Sequence, residues 1–352
     1  MSKKILVALS GGIDSAVAAL LLKESGCDVT AITMSFGLGG ITRCSDEAVA
    51  DAAEVSDQLH IPHKVFNARR ELEKHVIADF IAEYANGRTP NPCVRCNEFL
   101  KFGLLFQWAQ KLGFTFLATG HFARIEKQGR SCHLKKGIDS KKDQSYFLCL
   151  LSKKTLSHVV FPLGGMTKEQ TQALAKKKGL CVAGKRSSQE VCFIPDNDYR
   201  AFLRKNLGAA CFKKGEVVDR QGHILGYHQG IVNYTIGQRE GFGISSSQAL
   251  YCLKLDAVAN RIIVGPKKDV YSKSLVAEGV NIFERKLFQE GAYCKAKIRY
   301  NHPESLCRVS SIKRDVIRVD FSELQSAITP GQFVVFYEKD IVVAGAKIIE
   351  VL

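Results

Sequence analysis

Short β-branched runs alternate with helical stretches through the first 120 residues, and this alternation constrains the fold more than any other feature of the chain. Taken in order, the strand and helix patterns fall at residues 5–9, 14–24, 29–34, 46–59, 64–66 and, after a longer helical region, 116–119. Such alternation is typical of βαβ units, in which helices cover both faces of a mainly parallel sheet. The sequence therefore predicts an α/β fold for this part of the chain.

The remaining residues change character gradually. Thr167 and Gln170 have the spacing of a capping box and Gly179 has the position of a helix stop, so these residues predict a further helix. Beyond about residue 207, short alternating strands and turn signals predict a small β-rich central domain, and the stretch 294–338 resembles a small β-barrel. We therefore predict three domains, over residues 1–206, 207–275 and 276–352.

The chain has 352 residues and a formal net charge of +15, and its lysines and arginines are spread over the whole length. A polyanionic partner such as nucleic acid and a solvated lysine-rich surface are both consistent with this charge. The sequence contains no run of the ~18 apolar residues that span a bilayer, and the start, Met1–Leu9, lacks the features of a signal or transit peptide. We therefore expect a cytoplasmic protein without a membrane partner.

Twelve cysteines in a long chain without a secretion signal predict mostly reduced thiols. Six stand singly among apolar or strand-like neighbours and are expected to be small buried residues: Cys27, Cys132, Cys149, Cys252, Cys294 and Cys307. Three others have no partner motif and are left unassigned: Cys44, Cys181 and Cys211. The candidates for chemistry are the remaining three, Cys93, Cys96 and Cys192.

Residues Ser10–Ser15 read Ser-Gly-Gly-Ile-Asp-Ser, directly after the first predicted strand and at the start of a helix. The glycines allow a tight turn and a close approach of the backbone to an anion, and the serine hydroxyls and the N–H groups of the helix start can donate to it. The full string at the first βα junction favours a phosphate site over an ordinary turn. It lacks the Walker A ending and the spacing of the dinucleotide fingerprint.

Cys96 lies in the segment Asn91–Asn97, where two prolines precede a helix that is predicted to begin near Asn97. Beside Arg95 and near Lys101, a thiol at a helix start is expected to have its thiolate favoured by the helix dipole and by the cations, as a nucleophile requires. A zinc knuckle is the alternative, but the sequence offers no second ligand pair at the spacing of a closed four-ligand site.

Cys192 follows a polar basic loop, 185–190, and opens a short apolar run. On its own it has the pattern of a buried strand residue. Together with Cys96 and the phosphate loop, it suggests that one thiol holds sulfur as a persulfide while the other attacks or resolves the resulting disulfide.

Six motifs occur together in the order found in bacterial tRNA-specific 2-thiouridylases, and the similarity runs from Lys4 to about Val335. They are Ser10–Ser15, Asn91–Asn97, Thr119–Arg124, Lys142–Tyr146, Cys192–Ile194 and Thr235–Arg239. The chain thus resembles that family, which belongs to the PP-loop enzymes that split ATP into AMP and pyrophosphate. The resemblance implies an adenine-nucleotide alpha-hydrolase-like (PP-loop) domain at the amino terminus and a sulfurtransferase that uses ATP and Mg²⁺ to make 2-thiouridine in tRNA.

The resemblance also implies roles for individual residues. Cys96 would be the nucleophile and Cys192 the persulfide carrier, and the two would form a transient disulfide. The nucleotide would be held by Ala8, Leu9, Ser10, Gly11, Gly12, Ile13, Asp14, Ser15, Met34 and Gly120, with Asp14 near the phosphates and Mg²⁺ and Met34 beside the adenine. The target base or its tRNA would contact Asn91, Pro92, Cys93, His121, Lys142, Asp143, Gln144, Arg299, Tyr300 and Gln332. A satisfied loop histidine and a turn residue are the alternatives for His121 and Gln332.

Several family members carry aspartate where this chain has Cys93, which leaves the role of a base at that position open. Cys93 could act as a thiolate base, or Cys93, Cys96 and Cys192 could ligate an iron–sulfur cluster. The implied partners are tRNAs with a wobble uridine, such as those for lysine, glutamate and glutamine, and a sulfur donor such as a cysteine desulfurase or a relay protein. Two rival functions remain: a PP-loop enzyme that amidates or condenses a small metabolite, and a noncatalytic RNA-binding or redox-sensing protein.

Overall fold

The computed structural model describes residues 3–37, 46–129, 131–185, 191–246, 248–313 and 315–352, apart from the side chains of residues 209, 210 and 312. Cys44 and residues 186–190 of the basic loop before Cys192 lie outside this description. By its internal contacts the chain divides into two units. The first consists of residues 1–76, 93–197 and 339–342, and the second of residues 77–92, 198–338 and 343–352.

Strands and helices alternate in the amino-terminal half of the chain. Their bounds are β1 Lys4–Ala8, α1 Ile13–Glu24, β2 Asp28–Ser35, α2 Asp46–Gln58, β3 His63–Asn67, α3 Arg69–Leu72, a π-helical turn Glu73–Ile77, α4 Ala78–Ala85, α5 Pro92–Cys96, a π-helix Asn97–Leu105, α6 Phe106–Lys111, β4 Phe116–Ala118, β5 Ala123–Gln128, β6 Ser131–Lys136, α7 Lys153–Leu156, β7 Val159–Val160 and α8 Lys168–Lys177.

A parallel sheet with strand order β3-β2-β1-β4-β7 forms the centre of the first unit. On its two sides, Val7 of β1 pairs with Ala31 of β2 and with Ala118 of β4. The strand order therefore reverses at β1. In sheets of this type ligands bind at the carboxyl ends of the strands beside such a reversal, where the loops after β1 and β4 meet.

Apolar side chains fill both faces of this sheet. Ile5 and Val7 belong to a cluster that includes Val17 of α1, Val55 of α2 and Ala175 of α8. Leu6, between them, is also fully buried, and because successive strand side chains point to opposite faces it packs on the other side. Burial on both faces explains why the strands are continuous apolar runs in the sequence.

An antiparallel hairpin, β5–β6, follows β4 in the first unit, and the alternating pattern did not predict it. Arg124 on β5 and Lys135 on β6 both form ion pairs with Asp340, at 2.9 and 3.0 Å. These contacts explain why the short segment 339–342 belongs to this unit although it lies near the end of the chain.

The carboxyl-terminal half begins with a helix and continues as strands. The bounds are α9 Tyr199–Asn206, β8 Gly215–Val218, β9 Ile224–His228, β10 Tyr251–Asp256, β11 Arg261–Gly265, β12 Tyr271–Ile282, β13 Tyr293–Lys297, β14 Ser305–Lys313, β15 Val316–Ser326, β16 Phe333–Glu338 and β17 Ile341–Val351. Short 3-10 helical turns occur in both halves of the chain, at Ser145–Leu148, Pro195–Asn197, Ala209–Phe212, Ile231–Asn233 and Lys267–Val270.

These strands form two sheets in the second unit. A small sheet has the order β10-β11-β8-β9. The longer strands follow the order β12-β15-β14-β13-β16-β17, and pairing of β12 with β17, for example Leu275 with Val351, closes them into a barrel. Alternate residues, such as Ala296 on β13 and Val309 on β14, fill its interior. The predicted fold class is therefore confirmed, whereas the boundaries at 206 and 275 stay predictions.

The cysteines predicted to be buried divide into two groups. Cys149, Cys252, Cys294 and Cys307 are buried as expected, whereas Cys27 and Cys132 are only half-buried. Of the unassigned cysteines within the description, Cys181 is exposed and Cys211 is half-buried. Among the described residues, no helix combines the length and the apolar character that crossing a membrane requires.

The capping box predicted at Thr167 is present at the start of α8. The Thr167 hydroxyl accepts from the amide of Gln170 at 3.2 Å, and the Gln170 side chain accepts from the amide of Thr167 at 2.8 Å.

We expect Thr167→Ala to lower the free energy of unfolding by about 1 kcal/mol, because an orphan amide at the helix start loses its acceptor. The shift of the urea midpoint measures this loss. Gln172→Ala, exposed on the same helix, is the matched control, and equal midpoints for the two variants would contradict a stabilising cap.

Candidate active site

The predicted phosphate loop lies between β1 and α1, at the point where the strand order reverses. Ser15, in the first turn of α1, donates through its hydroxyl to the carbonyl of Gly12 at 3.0 Å and accepts from the amide of Ser10 at 3.1 Å. The two serine hydroxyls lie 3.2 Å apart. These bonds fold the loop back over the amino end of α1, where free N–H groups and the helix dipole favour an anion.

Gly120 packs directly against this loop. A Cβ atom added at Gly120 would lie 2.7 Å from the carbonyl carbon of Asp14 and from the amide nitrogen of Ser15. Backbone therefore touches backbone between the loop after β4 and the start of α1, and only glycine allows this approach. The structure thus brings together the two segments in which the resemblance placed nucleotide contacts.

Lys168, at the first position of α8, forms an ion pair with Asp14. Its ammonium group also lies 5.8 Å from the centre of the Phe122 ring, and the residue is buried. A buried cation beside a phosphate loop can balance the charge of a bound polyphosphate. Lys168 was not predicted as a site residue; the signal that could have found it is a lysine at a helix start, where the dipole disfavours a positive charge.

The remaining predicted nucleotide residues flank the same edge of the sheet. Ala8 ends β1, Leu9 follows it and is buried, and Met34 is half-buried near the end of the neighbouring β2. This placement is compatible with an adenine on the β2 side of the loop. Their contacts with the nucleotide stay predictions.

The helix that carries the cysteines begins earlier than expected, and this corrects the sequence analysis. It starts at Pro92, so Cys93 lies in its first turn, and Cys96 is the last residue of α5 before the π-helix Asn97–Leu105. Arg95 does not support a thiolate either, because its guanidinium pairs with Glu98 at 2.9 Å and lies 4.8 Å from the centre of the Phe99 ring. Cys96 therefore lacks the helix-start position that was expected to activate it.

The thiols of Cys93, Cys96 and Cys192 are close enough to influence one another. Desolvation raises the pKa of Cys96 to about 12, and Lys101 lowers it while Cys192 and Cys93 raise it. Desolvation also raises the pKa of Cys93 to about 11, and Cys192 adds to this effect. Both groups are thus protonated thiols at neutral pH, contrary to the expected thiolate.

Lys101 is the cation common to this cluster. It lowers the pKa of the thiols of Cys93 and Cys96 and that of the imidazole of His121. Lys101 lies five positions after Cys96, which is close to one turn of the π-helix that follows Cys96. From the sequence, Lys101 was expected only as a cation near Cys96, because α-helical spacing does not place residues five positions apart on the same face.

His121 is a buried loop histidine with a satisfied ring nitrogen. Its Nδ1 lies 2.7 Å from the hydroxyl of Thr119, and its ring packs between Phe102 and Phe161. Burial lowers its pKa well below the usual value, and Lys101 lowers it further, so the ring is neutral at pH 7. These contacts match the alternative of a satisfied histidine, and a contact with the target base stays a prediction.

The segment Lys142–Gln144 is tied into the first unit by hydrogen bonds. The buried carboxylate of Asp143 accepts from the amides of Gly137 and Ser145, both at 3.0 Å, and from the hydroxyl of Ser145 at 2.9 Å. The Gln144 side chain accepts from the amide of Phe122 at 2.9 Å. Asp143 and Gln144 therefore shape the loop, while Lys142 is half-buried. Their contacts with tRNA stay predictions.

The predicted tRNA residues of the second unit also have contacts within that unit. Arg299 donates to the carbonyl of Ile236 at 3.4 Å and to the hydroxyl of Thr329. The side-chain amide of Gln332 donates to the carbonyls of Thr89 and Pro90, directly ahead of Asn91 and Pro92. Arg299, Tyr300, Asn91 and Gln332 are half-buried and Pro92 is buried.

Three family descriptions match successive segments of the chain. Residues 3–196 match the tRNA methyl transferase HUP domain, residues 200–266 the tRNA methyl transferase PRC-barrel domain, and residues 272–348 the aminomethyltransferase beta-barrel domain. A curated relative named tRNA-specific 2-thiouridylase, from Caldanaerobacter subterraneus, is 45% identical and covers 99% of this chain and 98% of its own. The chain belongs to the tRNA-specific 2-thiouridylase family. The family inferred from the six motifs is thereby confirmed.

A second 2-thiouridylase, from Geobacter metallireducens, is 46% identical over 98% of this chain and 96% of its own. Because such relatives match nearly end to end, the name 2-thiouridylase describes the family better than the methyl transferase wording of the domain descriptions. A 4-thiouridine synthetase solved with RNA and ATP is 18% identical, with a TM-score of 0.36 over 58% of this chain and 51% of that one, and this likeness is too slight to bear on the argument.

We expect Gly120→Ala to weaken ATP binding at least tenfold, because the new methyl group displaces the amino end of α1 and opens the phosphate loop. Isothermal titration of the 2-thiouridylase with ATP measures this loss. Gly165→Ala is the matched control, since Gly165 has open space where its Cβ would lie. Equal affinities for the two variants would show that the close approach does not hold the loop.

We expect Lys101→Met to raise the pKa of the Cys96 thiol above its already elevated value, because the cation that lowers it is lost. At any pH below that pKa the thiolate fraction falls about tenfold per unit of increase, and alkylation slows in proportion. Peptide mass spectrometry after iodoacetamide treatment at several pH values measures the rate. Lys101→Arg should keep most of the wild-type alkylation rate. Lys111→Met, which replaces an exposed lysine, should leave that rate unchanged. An unchanged alkylation profile in Lys101→Met would contradict this electrostatic role.

Proposed function

We propose that this chain is a tRNA-uridine 2-sulfurtransferase. It uses ATP to activate the C2 oxygen of the wobble uridine and replaces that oxygen with sulfur from a cysteine persulfide, giving 2-thiouridine, AMP and pyrophosphate. The observation that carries the proposal is the presence, in one folding unit, of a phosphate loop and three interacting thiols, in a chain that matches 2-thiouridylases over its whole length.

In the first step the loop Ser10–Ser15 and the amino end of α1 hold the phosphates of ATP. The uridine is extruded from its stack, since a stacked base cannot be reached. Its C2 oxygen attacks the α-phosphorus, and pyrophosphate leaves. The resulting adenylate converts a poor leaving group into AMP. Lys168 beside Asp14 supplies positive charge for the phosphates at this edge of the sheet.

In the second step Cys192 carries the sulfur and Cys96 resolves it. Either the terminal persulfide sulfur attacks C2 and AMP leaves, after which the Cys96 thiolate cleaves the sulfur–sulfur bond, or Cys96 first releases sulfide that attacks C2. Both routes leave 2-thiouridine and a Cys96–Cys192 disulfide, which a thiol reductant must then reduce. The effect of Cys192 on the pKa of Cys96 supports this pairing, because it requires the two side chains to lie near each other.

Asp14 fits the requirement for a magnesium ligand. Mg²⁺ at nucleotide sites is held by one or two carboxylates together with phosphate oxygens, and it neutralises the charge of the phosphates. The Asp14 carboxylate stands in the first turn of α1 with about a third of its side chain exposed, and its present partner is the ammonium of Lys168.

Cys93, Cys96 and Cys192 are the candidate ligands of an iron–sulfur cluster, and such a cluster stays a prediction. Among the described residues, no set of three or more histidine, cysteine, aspartate or glutamate side chains is arranged to hold a metal ion, although Cys93, Cys96 and Cys192 all belong to that part of the chain. Without a cluster, Cys93 would act as a single thiol. Its position in the first turn of α5, close to Cys96, suits a thiol that approaches the target base.

The partners follow from the same reaction. The substrate is a tRNA with a wobble uridine, such as those for lysine, glutamate and glutamine, and the sulfur comes from a cysteine desulfurase or a relay protein in the cytoplasm. The net charge of +15 favours binding to the phosphates of tRNA, with the contacts proposed for Lys142, Arg299 and Tyr300. We also retain the division into domains at residues 206 and 275. A PP-loop enzyme for a small metabolite leaves the paired cysteines without a role and is not favoured.

Nucleoside mass spectrometry of unmodified lysine tRNA, incubated with the protein, Mg²⁺-ATP and a desulfurase with cysteine, tests the proposal. We expect ATP-dependent 2-thiouridine with the wild type and a loss of about 100-fold or more with Cys96→Ala and Cys192→Ser, because each removes one partner of the transfer. Peptide mass spectrometry should find a persulfide on Cys192 in Cys96→Ala and none at residue 192 in Cys192→Ser. Cys181→Ser, at an exposed cysteine, is the control.

With Cys192→Ser, sulfide should give more 2-thiouridine than the desulfurase does. Free sulfide can attack C2 without first being carried on Cys192. If protein prepared without oxygen, supplied with a competent donor, makes no thiolated nucleoside, the proposed reaction is wrong and the small-metabolite enzyme becomes the leading alternative.

A further inference from the structure

The chain directly ahead of the cysteine helix is bound to a loop of the β-barrel within the second unit. Thr89 donates its amide to the carbonyl of Pro330 at 2.9 Å. In return, the side-chain amide of Gln332 donates to the carbonyl of Thr89 at 2.9 Å and to that of Pro90 at 3.1 Å. Three hydrogen bonds therefore hold Thr89 and Pro90 in place. These residues lie shortly before Pro92, where α5 begins.

Gly331 shows how tightly this contact is packed. Its φ of +94° is one that glycine adopts readily, and a Cβ there would lie 2.8 Å from the carbonyl oxygen of Thr89 and 2.9 Å from its nitrogen. The barrel loop itself is held by β17, because Gly331 donates to Ile348 at 2.9 Å and Ile348 donates to Gln332 at 2.8 Å. The backbone on both sides of the Gln332 side chain is therefore hydrogen-bonded to β17.

The same segment has a second anchor on its amino-terminal side. The buried carboxylate of Glu83 pairs with Arg88 at 2.9 Å and with Lys347 of β17 at 2.8 Å. Removing one partner of a buried charge pair strongly destabilises the fold, because the other charge is left buried without compensation. Residues 83–90 are thus attached to the barrel at both ends, and Gln332 supplies the attachment nearest to α5.

We propose that Gln332 is a positioning residue for the cysteine helix: it holds Thr89 and Pro90 in place, and so fixes the start of α5, before any tRNA is bound. Both hydrogens of its side-chain amide are used for this purpose, which leaves only the side-chain oxygen for a contact with tRNA. This positioning role rests on the proposed function only because α5 carries Cys93 and Cys96, which are assigned to the thiolation reaction.

Hydrogen exchange of the tRNA-free full-length protein tests the attachment directly. Gln332→Met keeps the length of the side chain without its donors, and we expect the amide of Thr89 to exchange about 5- to 30-fold faster, as the loss of one or two hydrogen bonds predicts. Gln332→Glu should exchange faster still, because its carboxylate faces two carbonyl oxygens. Gln289→Ala, at an exposed barrel glutamine, is the control and should match the wild type.

A second variant reaches the same contact without changing the Gln332 amide. Gly331→Ala pushes Thr89 away through its new methyl group, so it should also speed exchange at Thr89. In steady-state thiolation, Gln332→Met should lower kcat about tenfold while KM for tRNA stays within about twofold, since a displaced α5 slows the reaction and not the binding.

The opposite pattern overturns the proposal. If exchange at Thr89 in tRNA-free Gln332→Met and Gly331→Ala equals that of the wild type, and KM for tRNA rises with kcat unchanged, Gln332 acts only as a tRNA contact. Because exchange is measured without tRNA or ATP, its outcome does not depend on whether the wild type makes 2-thiouridine. Failure of the thiolation reaction and failure of the positioning role are therefore separable.

Discussion

The close approach of Gly120 to the amino end of α1 holds the predicted phosphate loop against the loop after β4. The strand order reverses at β1, so the loops after β1 and β4 leave the sheet at the same edge, and here they meet through backbone atoms alone. A contact between backbones leaves little freedom for rearrangement, since neither side can change rotamer. A phosphate loop mounted in this way is preorganised, as a site that stabilises developing charge requires.

Protection of a persulfide and reactivity of a thiolate place opposite requirements on the environment of the thiols. A persulfide has to be protected from oxidants and from stray nucleophiles, which favours a site with little water. The same burial disfavours the thiolate that must attack, and in this chain it raises the pKa of Cys96 to about 12. Lys101 opposes that effect, and its influence grows as water is excluded because charges interact more strongly in a medium of low polarity. Docking of an RNA over this region would exclude still more water.

Much of the fold was accessible from local sequence patterns. The strands β1 to β4 and the helix after Thr167 follow from apolar periodicity and capping, which depend on neighbours within a few residues, whereas the short strand β7 was not predicted. The start of α5 was missed because Pro90 and Pro92 were both interpreted as helix breakers, whereas a proline also suits the first position of a helix. Lys168 at Asp14 could not be predicted, because 154 residues separate the pair and only the tertiary fold joins them.

The attachment of residues 83–90 to the barrel also governs the order in which the protein can mature. Thr89 and Gln332 are 243 residues apart, and Lys347 lies further still towards the end of the chain. A ribosome that adds about 5–20 residues per second needs roughly 10–50 s to cover that distance. Once β7 has been made, the parallel sheet has all its strands, but the segment ahead of the cysteines still has no partner to fold against. A nascent chain therefore exposes the helix of Cys93 and Cys96 before it can hold that helix in place, and the exposure ends only when the barrel strands have been made.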